Sequence, residues 1–253
     1  MRIIVATHNE GKLVEIRRIL QQDLGELADG VKLVSAGSLG LPDPVETGTT
    51  FEENALLKAR DVASRTASPA IADDSGLIVD VLGAAPGILS ARWSGVHGDD
   101  EANNALLLAQ IADIPDAHRT ARFRCAAALA VPEGLATIAA GVAVAANADD
   151  RCAAEDGDRS DNDGTTHTAP TAYTVAAQYV QTGDMPGRII RKPRGEQGFG
   201  YDPLFVPDDQ PGRTNEHGEP LTSAEMTPAE KNAISHRGKA IAALMPSIER
   251  LLQ

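Results

Sequence analysis

The sequence predicts an α/β protein with a mixed β-sheet covered by helices, and three observations carry that reading. Short apolar runs alternate with amphipathic segments along most of the chain. Capping-box signals, a Thr with Glu three residues on, mark helix starts at Thr50 and Thr227. Aromatic residues make up only 3% of the chain, so Ala, Val, Leu and Ile must build a core spread over several elements.

The elements follow in order. Ile3 to Ala6 is a strand that runs into Thr7-His8-Asn9-Glu10-Gly11-Lys12, after which Leu13, Ile16, Ile19 and Leu20 share one helical face. Val31 to Val34 is a short strand, and Leu41 to Gly48 an extended loop stiffened by its prolines. The helix capped by Thr50 buries Ala55, Leu56, Ala59, Val62 and Ala63. Ala70 to Ala72 then reads as a strand, Asp73-Asp74-Ser75-Gly76 as a tight break, and Leu77 to Val81 as a second strand. Asp99 to Ile111 is a helix, and Ala121 to Val131 with Ala136 to Val144 a hairpin or two neighbouring strands. Tyr173 to Val180 returns as an edge strand beside them. Thr227, with Pro228 at the first helical position, caps one helix, and Ser235 caps the last, whose Ala240, Ile241, Leu244, Ile248 and Leu251 face the core.

The chain reads as one domain over 1–253 with an insertion at about 146–183, where the composition turns to Ala, Asp, Thr and Gly. Between Asp149 and Asp163 seven acids stand against two arginines, so a mobile surface loop is expected. An acidic metal-binding loop is the alternative, but the spacing departs from the twelve-residue calcium pattern.

A net charge of −13 excludes a protein that wraps nucleic acid backbone. The two cysteines, Cys125 and Cys152, form no disulfide framework, and no run has the length of a signal sequence or membrane span, so a cytoplasmic location is expected.

Three segments concentrate chemistry. At the first strand-to-helix turn the leading amides of the helix lack internal partners and the macrodipole is positive, which suits phosphate. Thr7 and Asn9 add donors, Gly11 a close backbone approach and Lys12 a charge; the plainer account is a capped helix with a solvated lysine. Lys192 to Phe205 is a Gly- and Pro-shaped loop bearing Phe199, Tyr201 and Phe205. These rings either plug a core or stack on a purine-sized ligand, with Asp202 at its polar edge. Lys231, His236 and Arg237 gather at a helix junction, as solvated charges or as donors to an acceptor-rich ligand.

Taken in order, Thr7 to Lys12, Glu46-Thr47-Gly48 through Lys58-Ala59, Ala72 to Leu77, Pro86-Gly87, Phe199 to Pro203, Glu230-Lys231-Asn232 and Ser235-His236-Arg237 resemble the inosine triphosphate pyrophosphatase family over nearly the whole chain. The resemblance implies an elongated two-lobed mixed-sheet fold with the nucleotide in the cleft, usually a homodimer. It also implies Mg2+-dependent hydrolysis of non-standard purine nucleoside triphosphates (ITP, dITP, XTP) to monophosphate and pyrophosphate. By the same resemblance, Thr7, His8, Asn9, Glu10, Gly11 and Lys12 would cradle the triphosphate, Asp74 would be metal ligand and proton acceptor, and Ser75 would touch the substrate. Phe199, Gly200, Tyr201 and Asp202 would hold base and sugar, with Lys231, His236 and Arg237 favouring a 6-keto purine. That family often has consecutive acids ahead of Thr-Gly; this chain has Val45-Glu46, which makes Glu46 the expected second metal ligand. The acidic insertion also exceeds the family's usual length. The competing class is a nucleotide-binding sensor without hydrolysis, against which the pair Asp74 and Glu46 argues.

Overall fold

The computed structural model describes residues 1–135 and 173–253. Among them, six strands form one sheet: β1 (Arg2–Val5), β2 (Lys32–Ser35), β3 (Ala70–Val79), β4 (Thr120–Pro132), β5 (Val175–Ile189) and β6 (Phe205–Pro207). Their order is β2-β1-β3-β4-β5-β6. β1 runs parallel to β2 and β3, whereas the pairs from β3 to β6 are antiparallel, so the sheet is mixed as expected. Five helices flank it: α1 (Glu10–Leu24), α2 (Phe51–Thr66), α3 (Asp100–Gln110), α4 (Pro228–Ile234) and α5 (His236–Leu252). No described helix is long and apolar enough to cross a membrane.

Strand alternation sorts the core. Ile3, Val5, Ile71, Cys125, Ala127 and Leu129 face α1 and α5. Ile4, Ala70, Ala72, Ala126, Ala128 and Ala130 face α2, and their small size lets its Ala55, Ala59 and Ala63 approach closely. Fully burying a residue such as Leu129 contributes about 1.5–3 kcal/mol. A third cluster, Leu77, Val79, Leu107, Ile111, Met185, Ile189 and Phe205, occupies the far end of the long strands under α3. A cavity opens beside this third cluster, against Phe123 and Tyr201.

Two expectations are corrected. Asp73 and Asp74 lie inside one continuous strand, not at a break: β3 pairs with β4 at all ten of its residues. Gly76, read as a breaker, instead permits close contact, because a Cβ there would come within 2.5 Å of the Gly87 carbonyl and the Ser90 hydroxyl. The returning strand begins at Val175 and continues to Ile189, through residues assigned to the insertion. Its first half has only β4 as a partner among the described strands and is an edge there, but it meets β6 from Gly187 onward. Gly183, which interrupts its sequence pattern, is where α5 lies against the strand: a Cβ would strike the His236 carbonyl. The expected strand Ala136 to Val144 and the acidic tract lie outside the described residues.

Candidate active site

β1 stops at Val5, two residues into its pairing with β3. Beyond Ile71, whose carbonyl accepts from Ala6 N–H, that edge of β3 is open toward the turn leading into α1. Farther along the same edge, Leu77 N–H donates to Ser90 Oγ and Val79 N–H to the Ala85 carbonyl. Asp73 and Ser75, which alternate with these, find no backbone partner on that side among the described residues. The parallel strand ends thus leave a notch, floored by β3 and rimmed by Thr7 to Lys12.

In the turn, Asn9 caps α1, accepting from Gly11 and Lys12 N–H at 2.8 and 3.2 Å, and Thr7 Oγ1 accepts from Asn9 N–H. The Glu10 carboxylate accepts from the Ser35 hydroxyl. His8 turns toward the proline loop, with Nδ1 2.7 Å from Asp43 Oδ1 and Nε2 2.7 Å from the Leu41 carbonyl. Lys12 alone reaches into the notch.

The two aspartates occupy opposite faces of β3. Asp73, almost fully buried, accepts from Lys12 Nζ at 3.1 Å, Arg237 Nε at 3.1 Å and Ser75 Oγ at 3.3 Å. Burial by itself would raise its pKa, but Lys12 and Arg237 outweigh it and hold the carboxyl well below the usual range. Arg237 also donates from Nη1 to Glu15 at 2.6 Å. One carboxylate therefore joins Lys12, in the turn into α1, to Arg237, at the start of α5.

On the α2 face, Asp74 Oδ1 lies 3.0 Å from Lys58 Nζ, which also lies 2.8 Å from Glu46 Oε1. Asn54 donates to Asp74 Oδ2 at 3.3 Å and accepts from Gly48 N–H at 2.8 Å, tying the Glu46 loop to the strand. Burial raises the Asp74 pKa; Lys58 opposes the rise and Glu46 adds to it. An acid so placed is suited to taking up a proton. Glu46 and Asp74 thus converge on one cation position, which Lys58 fills. Two oxygen donors are what magnesium takes from a protein when phosphate and water complete its coordination. No group of three or more His, Cys, Asp or Glu that could hold a metal occurs among the described residues. The donor set fits magnesium shared with a substrate.

The other end of the cleft is a cavity of about 290 Å³ lined by Ser75, Phe123, Phe199, Lys231, His236 and Arg237 among others. Asp202 is buried, accepts from Phe199 N–H at 2.9 Å and pairs with Lys231 Nζ. The Lys231 ammonium sits 5.3 Å from the centroid of the Phe199 ring. That ring is 66% exposed, so it does not plug the core and its face is open to a ligand; Tyr201 and Phe205 are the buried rings of the loop, so Tyr201, expected to hold base and sugar, packs in the core instead. His236 stacks on Phe123 with centroids 5.2 Å apart, and its Nδ1 is enclosed without a partner among the described residues. Burial, then the charges of Arg237 and Lys231, push its pKa well below the ordinary value, so the ring is neutral.

Of the expected residues, Ser75, Phe199, Gly200, Tyr201, Asp202, Lys231, His236 and Arg237 line the cavity, and Lys12 is joined to Arg237 through Asp73. Asp74 and Glu46 meet on the other face of β3, and His8 and Glu10 are occupied within the turn. Sequence reasoning missed Asp73, Lys58, Asn54, Glu15 and Phe123. The one available signal was Lys58, four residues after Asn54 and so on the same helical face.

An α/β sheet with an anion-suited turn, a carboxylate pair sharing one cation position and an exposed aromatic ring over a cavity is the framework of a nucleotide hydrolase. The sequence pattern of the Ham1 family matches residues 3–151 and 145–247, and the chain belongs to that family. It is 67% identical over 259 residues to a protein named dITP/XTP pyrophosphatase from Bifidobacterium longum, with 100% of both chains covered. It is 42% identical to one of the same name from Mycobacterium bovis, covering 99% of this chain and 96% of that one. Among solved structures it resembles a nucleoside-triphosphatase, dITP/XTP pyrophosphatase from Mycobacterium abscessus, with TM-score 0.64, 42% identity, and 97% and 100% of the two chains covered. A HAM1 protein from Coxiella burnetii matches with TM-score 0.69 and 32% identity over 98% of each chain.

Proposed function

We propose that this protein hydrolyses the purine nucleoside triphosphates ITP, dITP and XTP to the monophosphate and pyrophosphate, clearing them from the nucleotide pool. The observation that carries the reading is the convergence of Asp74 and Glu46 on one cation position, Asp74 being next in the chain to Ser75 and Gly76, which line the cavity that also holds Phe199.

The residues divide the work by position. Lys12 and the leading amides of α1 neutralise the charge that accumulates on the departing pyrophosphate. The base stacks on Phe199, and Asp202 fixes the Lys231 ammonium beside it. A lysine has three N–H donors and an arginine five, so Lys231 and Arg237 keep donors free after pairing with carboxylates. A 6-keto group accepts from them, whereas a 6-amino group would leave buried donors unpaired. Asp74 and Glu46 would hold Mg2+, which supplies positive charge against the phosphate oxygens when bound. Asp74, its pKa raised, takes the proton of the attacking water.

The homodimer implied by the family resemblance and the cytoplasmic location expected from the cysteines and apolar runs belong to the same proposal, as does the reading of the chain as one domain. Sedimentation velocity tests the dimer. The activity is tested by phosphate release in the presence of inorganic pyrophosphatase, with ITP and XTP turned over much faster than ATP; GTP, which shares the 6-keto group, reports on the 2-amino group. Equal or absent turnover of all four would overturn the reading.

A further inference from the structure

We infer that Asp100 and Asn104 of α3 are positioning residues for the base platform, acting through the backbone of Gly200. The inference deepens the proposed function and rests on that reading.

Gly195, Gly198 and Gly200 all have positive φ, at 85°, 79° and 63°. A segment with three left-handed glycines in six residues has little conformational preference of its own. The ring it carries, Phe199, is mostly exposed, so packing does not place it either. Its position is set by whatever holds the backbone around it.

On one side Asp202 accepts from Phe199 N–H and the Ala224 carbonyl from Gln197 N–H; the anchors on the other side come from α3 and from the short 3-10 turn Gly87–Arg92. Asp100 Oδ2 accepts from Gly200 N–H at 2.6 Å, and Asn104 Nδ2 donates to the Gly200 carbonyl at 3.0 Å. Asp100 and Asn104 are one helical turn apart on the same face of α3, so both polar groups of one peptide residue are clamped by one helix. The neighbouring Tyr201 hydroxyl donates to the Ser90 carbonyl at 2.9 Å. Ser90 in turn accepts from Leu77 N–H, three residues beyond Asp74 on β3. Asn103 fixes α3 to the same 3-10 turn, accepting from Ser94 N–H at 2.7 Å and donating to the Ala91 carbonyl at 3.3 Å. α3 is thus a strut that sets the distance between the stacking ring and the strand bearing Asp74. Without the clamp, the loop must be ordered at the moment of binding, which weakens affinity for the base.

The test measures ITP hydrolysis, together with inhibition by IMP and by pyrophosphate, in Asp100→Ala, Asn104→Ala and Asp100→Asn. In the alanine variants KM for ITP and the inhibition constant for IMP should rise about tenfold while kcat changes less than about twofold. Pyrophosphate inhibition should be unchanged, because that ligand touches only the phosphate end. Asp100→Asn keeps an oxygen acceptor for Gly200 N–H and should restore most of the affinity for IMP.

Unchanged KM and IMP inhibition in both alanine variants would overturn the inference. So would weakening of IMP and pyrophosphate in parallel, which is the mark of general damage to the fold. An Asp100→Asn variant as impaired as Asp100→Ala would instead make the carboxylate charge a direct contact with the ligand. Failure of the wild-type protein to hydrolyse ITP would overturn the proposed function, a result distinct from any of these.

Discussion

The ammonium of Lys58 lies 3.0 Å from the carboxylate of Asp74, at the position where a divalent cation would be shared with Glu46. Burial alone would lower the lysine's pKa, but Asp74, Asp73 and Glu46 together raise it, so the side chain stays charged. It is a protein-borne cation that keeps two partly buried acids from repelling one another. Replacing it with an uncharged side chain exposes that repulsion. Lys58→Met should lower stability by about 2–3 kcal/mol in metal-free buffer. Magnesium should recover part of the loss, as read by thermal unfolding with and without the ion.

Asp74→Asn preserves the shape of the side chain and an oxygen facing Lys58, so the fold should survive. Turnover of ITP should fall by about a hundredfold or more, because the proton acceptor is gone. Lys12→Met should cost about a hundredfold in kcat through lost charge stabilisation. Steady-state rates at saturating magnesium check both.

Gly76 stands two residues from Asp74 with the Gly87 carbonyl and Ser90 Oγ each 2.5 Å from where a Cβ would sit. Gly76→Ala must push the 3-10 turn off β3, costing about 1–3 kcal/mol. Since that turn also holds Tyr201 through Ser90, affinity for IMP should weaken along with stability. Denaturant unfolding and IMP titration on the same sample report the two effects.

Arg124 on β4 clasps Asp184 on β5 through two bonds of 2.8 and 2.7 Å. Those bonds, working against partial burial, lower the Asp184 pKa. A depressed acid contributes stability above the unfolded carboxylate value of about 4 and loses it as pH falls through the lower folded value. Solvent screening keeps the contribution under about 1 kcal/mol. Asp184→Asn should therefore be slightly less stable than the wild type at pH 7, and the gap should close below about pH 4. Urea melts across that range measure it.

What the sequence made legible were features encoded within a few residues. The capping boxes at Thr50 with Glu53 and Thr227 with Glu230 both form, and Asn9, Asp99 and Ser235 cap their helices. The apolar stripe of α1 is buried at Leu13, Ile16, Ile19 and Leu20. What it concealed depends on distant partners. Asp73 acquires its role from Lys12, 61 positions away, and from Arg237, 164 positions away. The clamp on Gly200 joins residues 100 and 96 positions apart. The Ser75-Gly76 pair suggested a break because local propensity favours one there, but ten residues of pairing with β4 override it.

Neighbouring residues of an extended chain point to opposite sides, and here Asp73 and Asp74 stand opposite Ala127 and Ala126 of β4. A single residue gained or lost just ahead of them would swap their destinations, presenting α2 with the acid meant for Lys12 and Arg237. Substitution can be absorbed at many places in such a protein, and loops between elements can drift in length. The stretch from Ala70 to Val79 has no such latitude, and its residue count is as much a part of the chemistry as the acids themselves.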